Sequence, residues 1–189
     1  MTFTSSIALK LGSRAPDLTL PDTQGREVSL KDFDHYTGLL VIFMCNHCPY
    51  VKHIDRALAE FARRNEPRGV ATVGINANDA STHPADSLEK MVEEVQRIGY
   101  GFPYLHDESQ EVAKAFGAVC TPDFFLFDKR RHLVYRGQFD DSRPGSSIAV
   151  TGKDLQAAVD SLLAGDAISR EQQPSVGCSI KWKPENVPH

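Results

Sequence analysis

The stretch FMCNHCPYV, residues 43–51, places two cysteines three positions apart, with a histidine between them and a proline directly after the second. It follows LLVIF (39–43), a continuously apolar and β-branched run that is typical of a central strand covered on both faces. After it, apolar residues recur at helical spacing, at Val51, Ile54 and Leu58. The cysteines are therefore predicted to lie where a buried strand passes into a helix.

The rest of the chain alternates predicted strands and helices. LTLPDTQGREVSL (18–30) predicts a hairpin, because two short alternating runs flank a turn that contains glycine. Further strands are predicted at 70–75, 124–128 and 132–137, and further helices at 86–98, 109–116 and 151–164. In the first of these helices, Asp86 and Glu89 are typical of a capping box. Alternation of this kind indicates an α/β fold with a parallel core, which the last strand pair turns into a mixed sheet.

The predicted organisation is one domain over residues 1–168, followed by a tail over 169–189. The tail is polar at first and then reads PSVGCSIKWKP, with Cys178 and the chain's single tryptophan, Trp182. We expect this segment to pack back onto the domain.

Composition excludes several classes of partner. The net charge is -4 and no long basic run is present, so neither nucleic acid nor an anionic membrane is expected to bind. The first residues lack the pattern of a signal peptide, and no apolar run approaches membrane-spanning length. A cytoplasmic location is the expectation.

The chain has four cysteines, Cys45, Cys48, Cys120 and Cys178. In a reducing compartment a close pair of cysteines is typical of catalysis or metal binding rather than of a structural disulfide. A thiol in the first turn of a helix meets unpaired amides and the positive end of the helix dipole, which favour the reactive thiolate. Structural zinc takes four ligands, commonly from two such pairs, and no second pair exists. The pattern favours redox chemistry without a metal or organic cofactor.

A second motif makes the family resemblance specific. In VCTPDFFLFD (119–128), Pro122 stands just before a predicted strand. Together with the Cys-x-x-Cys strand–helix unit, this resembles the thioredoxin superfamily, and the opening APDLTLPDTQGREVSLKDF (15–33) resembles its redoxin branch, which includes peroxiredoxins. The resemblance implies a thioredoxin-like fold, with a mixed sheet flanked by helices and an N-terminal β-hairpin extension. It also implies a cis bond before Pro122, facing the cysteine pair.

The resemblance implies a thiol–disulfide oxidoreductase. Cys45 would attack a protein or small-molecule disulfide, Cys48 would resolve the mixed disulfide, and Pro122 would shape the substrate groove. A thiol reductant of unknown identity would regenerate the enzyme. His47 is either an ordinary turn residue or a group that stabilises the Cys45 thiolate and so makes the centre more oxidising.

The two remaining cysteines keep two interpretations each. Cys120 is either a small buried hydrophobe or a third thiol lining the active site. Cys178 is either similarly structural or a resolving or regulatory thiol on a tail that reaches the centre.

Alternative functions stay open. One is a thiol peroxidase with an antioxidant role and Cys48 as the peroxidatic group, but Cys45 stands where peroxiredoxins carry threonine, and Pro122 about where they carry arginine. Another is a copper- or zinc-binding protein of the same fold, and a third is a catalytically idle interaction domain.

Overall fold

The computed structural model of the protein describes residues 9–188. The first eight residues, which belong to the predicted domain and to the segment searched for a signal peptide, lie outside the described residues, as does His189 of the tail. The strands are β1 (Thr19–Pro21), β2 (Glu27–Ser29), β3 (Gly38–Phe43), β4 (Val70–Asn76), β5 (Tyr104–His106), β6 (Cys120–Thr121), β7 (Asp123–Phe127), β8 (Leu133–Gly137) and β9 (Cys178–Ser179). The α-helices are α1 (Pro49–Asn65), α2 (Leu88–Ile98), α3 (Glu111–Phe116) and α4 (Lys153–Ala164).

The central sheet has the strand order β5-β4-β3-β7-β8. β3, β4 and β5 run parallel, whereas β7 and β8 are antiparallel to their neighbours. β1 and β2 form the predicted N-terminal hairpin. The predicted mixed sheet with flanking helices is therefore confirmed.

The apolar character of β3 follows from its two covered faces. Leu40 and Ile42 point into a core that includes apolar residues of α1, α2 and α4. Leu39, Val41 and Phe43 point into a second core, with residues of α3 and the N-terminal hairpin. Successive side chains of a strand alternate between faces, so a strand between two cores has no polar position.

Glycine and serine set the ends of α2. Ser87 is the N-cap and accepts a hydrogen bond from the Lys90 N–H, and Gly99 ends the helix in the left-handed conformation at φ 81°. The predicted capping box of Asp86 and Glu89 is wrong. Asp86 belongs to a short 3-10 turn (Pro84–Asp86), and its side chain is fully buried.

The tail lies along the domain. β9 pairs antiparallel with β6, so that Thr121 stands opposite Cys178. Beyond β9, Ile180 is buried and Trp182 packs against the second core. The division into a domain over residues 1–168 and a tail over 169–189 stays a prediction. In the part of the chain that the structure describes, no helix combines the length and apolarity required to cross a bilayer.

Candidate active site

The cysteine pair lies between the end of β3 and the start of α1. Cys48 is the N-cap of α1, and Pro49 occupies the first helical position, where a missing N–H costs nothing. The sulfurs of Cys45 and Cys48 lie within hydrogen-bonding reach of each other. Both residues are buried, with exposed fractions of 1% and 0%.

The loop before β7 closes over the pair. The Thr121–Pro122 bond is cis, as the resemblance implied. Cys45 Sγ lies 3.4 Å from Thr121 Oγ1, and the Cys48 thiol donates to the Thr121 carbonyl at 3.1 Å. Pro122 thus lies directly beside the dithiol, at the rim of a cleft that Tyr50 and Val176 also line.

The two thiols differ in acidity. Hydrogen bonding from the Cys45 thiol lowers the pKa of Cys48 to about 4 against the opposing effect of burial, with further hydrogen bonds from Cys178 and the Val51 N–H. The pKa of Cys45 is raised by the same interaction with Cys48, by burial and by the Asp86 carboxylate. Deprotonation of the reduced pair is therefore favoured at Cys48, at the helix N-terminus, and it removes the hydrogen bond from the Cys48 thiol to the Thr121 carbonyl. The stabilising effect that the sequence predicts for the first turn of the helix falls on Cys48, and the attacking role expected of Cys45 stays a prediction.

His47 is held by a buried carboxylate. Its Nδ1 lies 2.5 Å from Asp86 Oδ2 and 3.9 Å from Cys45 Sγ. Asp86 also accepts hydrogen bonds from the Asn46 N–H at 2.7 Å and from Asn78 Nδ2 at 2.8 Å. The ring of His47 stacks on that of His83, with centroids 5.3 Å apart. The imidazole is thus oriented by Asp86 and touches the dithiol only on the Cys45 side.

The same residues form a three-donor cluster. One ligand atom each of Cys45, His47 and Asp86 lies within 4.8 Å of the others. Sulfur, nitrogen and oxygen donors of this kind suit zinc or copper. The sequence analysis missed this cluster because Asp86 comes from a distant turn.

Each of the other cysteines has a distinct place. The Cys178 thiol lies within hydrogen-bonding reach of Cys48, and burial raises its pKa to about 11. Cys120 is buried with its Sγ 3.6 Å from the Pro122 carbonyl oxygen, and burial, reinforced by Asp123, raises its pKa to about 12. The structure therefore brings Cys178 to the pair and directs the Cys120 thiol to the backbone of the cis-proline loop.

Two functional residues escaped the sequence analysis. Thr121 contacts both active-site sulfurs, and its position directly before Pro122 was a signal that could have identified it. Asp86 carried no such signal, since an acidic residue before a helix ordinarily predicts a cap.

Comparison with known proteins places the chain in a family. The model of the AhpC/TSA family matches residues 11–136. The thiol-disulfide oxidoreductase ResA of Geobacillus thermodenitrificans is 31% identical over 127 residues, which are 67% of this chain and 68% of that protein. The chloroplastic peroxiredoxin Q of Arabidopsis thaliana is 28% identical over 158 residues, which are 78% of this chain and 67% of that protein.

Solved structures are similar to this chain in fold. The hypothetical protein SMc02350 from Sinorhizobium meliloti is 52% identical, with a TM-score of 0.92 over 94% of this chain and 97% of that one. The thioredoxin domain of a thiol-disulfide oxidoreductase from Bacteroides vulgatus has a TM-score of 0.59 at 21% identity, covering 68% of this chain and 89% of that one, and shares the fold. The chain therefore belongs to the AhpC/TSA family and has a thioredoxin-like fold.

Proposed function

We propose that the protein is a thiol–disulfide oxidoreductase in which Cys45 and Cys48 alternate between a dithiol and a disulfide. One observation carries the proposal: Cys48 caps α1, and Thr121, directly before the cis-proline, contacts the sulfurs of both Cys45 and Cys48. A thiolate is the nucleophile in disulfide exchange, and a neighbouring thiol completes the reaction. The similarity to ResA supports the same chemistry.

The proposed order of attack exchanges the two roles suggested by the sequence. The Cys48 thiolate attacks one sulfur of the substrate disulfide, and the other substrate sulfur leaves as a thiolate and takes up a proton. Cys45 then loses its proton and attacks Cys48 Sγ, which closes the Cys45–Cys48 disulfide and releases the second substrate thiol. Two electrons pass from the protein to the substrate, and a thiol reductant returns them.

Two neighbouring features support these steps. His47, oriented by Asp86 through Nδ1, lies 3.9 Å from Cys45 Sγ, where a protonated imidazole would stabilise the Cys45 thiolate that attacks Cys48. The cleft lined by Tyr50, Pro122 and Val176 places the cis-proline loop, which contacts the pair, beside an opening through which a disulfide-bearing substrate could approach. Protein or small-molecule disulfides are the proposed substrates, and a reducing compartment such as the cytoplasm is the proposed location.

Reaction of the reduced protein with oxidised glutathione tests the proposal. We expect the wild type to form a Cys45–Cys48 disulfide and to release two equivalents of reduced glutathione, and Cys48→Ser to release none. Cys120→Ser is the matched control and should react like the wild type. Full exchange in Cys48→Ser would contradict the assignment of Cys48, and full exchange in Cys45→Ser/Cys48→Ser would contradict the proposed function.

A thiol peroxidase is the second candidate, favoured by the lowered pKa of Cys48 and the similarity to peroxiredoxin Q. The Cys48 thiolate would attack hydrogen peroxide to give a sulfenic acid and water, and Cys45 would condense with it. Peroxiredoxins carry an arginine about where Pro122 stands in this chain. Arg136 of β8 does not replace it, because its side chain binds Asp123 at 3.1 Å and the Gly117 carbonyl at 2.8 Å. We therefore expect slower peroxide consumption than that of peroxiredoxins. Rapid stopped-flow oxidation at Cys48 would put this candidate first.

The three-donor cluster of Cys45, His47 and Asp86 supports the metal-binding alternative. Metal analysis of freshly purified protein tests it. Stoichiometric zinc or copper that is lost in His47→Ala would favour metal binding over disulfide exchange at this site.

A further inference from the structure

We infer that Cys178 is a third redox-active thiol, which forms a disulfide with Cys48 and passes reducing equivalents from the surface to the buried pair. The inference rests on the proposed disulfide-exchange function and adds to it the route by which the enzyme is reduced. It is carried by the pairing of β9 with β6 and by the positions of three sulfurs around Thr121.

Thr121 brings the three cysteines together. Its hydroxyl lies 3.4 Å from Cys45 Sγ, and its carbonyl accepts from the Cys48 thiol at 3.1 Å. Its backbone pairs with Cys178 across the β6–β9 ladder. The Cys178 thiol thereby comes within hydrogen-bonding reach of Cys48. Cys178 also packs against the buried cluster that contains Cys45 and Cys48.

Gly177 permits the close approach of the tail. A Cβ atom at this position would lie 2.0 Å from the Thr121 carbonyl oxygen, the same atom that accepts the Cys48 thiol. No side chain fits there, so glycine is required for the tail to reach the pair.

Hydrogen bonds hold the tail on both sides of Cys178. Before it, the Gln138 N–H donates to the Gln173 carbonyl at 2.8 Å, and Ser175 Oγ donates to the Gly137 carbonyl at 2.8 Å. After it, the Lys181 N–H donates to Asn78 Oδ1 at 2.9 Å. Both anchors attach to other parts of the domain, so Cys178 is held at the pair by more than its own strand.

Exposure gives the three thiols an order. Cys45 and Cys48 are buried, whereas Cys178 is partly exposed. A reductant that approaches from solvent therefore meets Cys178 first. Cys120 is not part of this series, since its sulfur contacts the Pro122 carbonyl oxygen.

The exchange balances in atoms and electrons. Starting from the Cys45–Cys48 disulfide, Cys178 loses its proton and attacks Cys48 Sγ. The Cys48–Cys178 bond forms, the Cys45–Cys48 bond breaks, and Cys45 leaves as a thiolate and is protonated. A dithiol reductant then attacks Cys178 Sγ, and Cys48 leaves as the thiolate that starts the next cycle. The second reductant thiol releases Cys178, and the reductant becomes a disulfide.

Disulfide mapping in the Cys45→Ser protein tests the inference. After treatment with oxidised glutathione, peptide mass spectrometry without reduction should find Cys48 linked to Cys178. In Cys45→Ser/Cys178→Ser, glutathione should stay attached to Cys48. Cys45→Ser/Cys120→Ser is the matched control and should give the same Cys48–Cys178 peptide as Cys45→Ser.

The outcomes separate this inference from the proposed function. Glutathione retained on Cys48 beside a free Cys178 in Cys45→Ser would overturn the inference while keeping Cys48 as the attacking thiol. Absence of any modification at Cys48 would overturn both the inference and the assignment of Cys48 as the attacking thiol, whereas full exchange in Cys45→Ser/Cys48→Ser would overturn the proposed function. A second measurement uses proteins with the pair intact: reduction of oxidised wild type by a dithiol should be faster than reduction of oxidised Cys178→Ser, and equal rates would also overturn the inference.

Discussion

Cys45 and Cys48 are three positions apart, yet their surroundings are electrostatically opposite. Cys45 lies beside a fully buried carboxylate, Asp86, which opposes a second negative charge. Cys48 lies at the N-terminus of α1, where the Val51 N–H stabilises an anion. The spacing of a cysteine pair therefore identifies a dithiol but does not say which sulfur is the nucleophile.

Exchange of each cysteine for serine gives the largest expected effect. In a Cys178→Ser background, Cys48→Ser should lose reaction with disulfides, whereas Cys45→Ser should accumulate a mixed disulfide on Cys48. The reason is that the pKa of Cys48 is lowered whereas that of Cys45 is raised. Peptide mass spectrometry after a single addition of oxidised glutathione measures both outcomes. A mixed disulfide on Cys45 in the Cys48→Ser protein would reverse the comparison.

The pH dependence of the stability of the reduced protein tests the same difference between Cys45 and Cys48. The pKa of Cys48 is about 4 in the folded protein, against an ordinary value of 9.0, so its thiolate stabilises the fold above the higher value. This contribution should fall as the pH is lowered from about 9 and be lost near 4. Thiolate ultraviolet absorbance and urea unfolding, each compared with Cys48→Ser, measure it. A thiolate that disappears near pH 9 would contradict the prediction.

Gly177→Ala tests the contact between the tail and Thr121, whose carbonyl accepts the hydrogen bond of the Cys48 thiol. The new Cβ would collide with the Thr121 carbonyl oxygen, so β9 has to move away from β6. The expected loss in the free energy of unfolding is about 1–3 kcal/mol, the usual cost of overpacking. Urea unfolding of the reduced protein measures it. Gly101→Ala, where nothing lies within 4 Å of the added atom, is the control, and equal stability of both variants would contradict the structure.

Asp86→Asn tests the effect of the buried carboxylate on the pKa of Cys45. Removal of the carboxylate should lower the pKa of Cys45, so the step in which Cys45 releases the second substrate thiol should reach its maximal rate at lower pH. Single-turnover release of glutathione, measured over a range of pH, follows this step. Glu89→Gln on the exposed face of α2 is the control. An unchanged pH profile would mean that Asp86 only positions His47.

His47→Ala should give the smallest effect. Without the imidazole, the Asp86 charge acts more fully on the dithiol and disfavours its thiolate, so the potential should become more reducing. The expected shift is about 30 mV or less, equivalent to about 1.4 kcal/mol, because the ring is partly exposed and contacts Asp86 more closely than Cys45. Equilibration with glutathione buffers measures it, with His132→Ala as control. A shift to more oxidising values would contradict this role.

Local patterns in the sequence predicted most of the fold. The apolar run at 39–43 and the hairpin at 18–30 depend on neighbouring residues, and both predictions are confirmed. The cis bond before Pro122 was implied by the family resemblance and is also confirmed. The start of α1 after Cys48 was predicted correctly, but the effect of Asp86 on Cys45 was not foreseen, because Asp86 comes from a distant part of the chain. Asp86 was mistaken for a cap because its partners, Asn46 and His47, lie far away in the chain.

The pairing of β9 with β6 has a consequence for partner choice. An unpaired strand edge beside a reactive thiol would accept many extended polypeptides by β-strand addition. Here the backbone of Thr121 is already occupied by the chain's own tail. A polypeptide that binds this edge has to displace a tethered segment that is present at high effective concentration. The tail should therefore restrict which polypeptides reach the reactive sulfur.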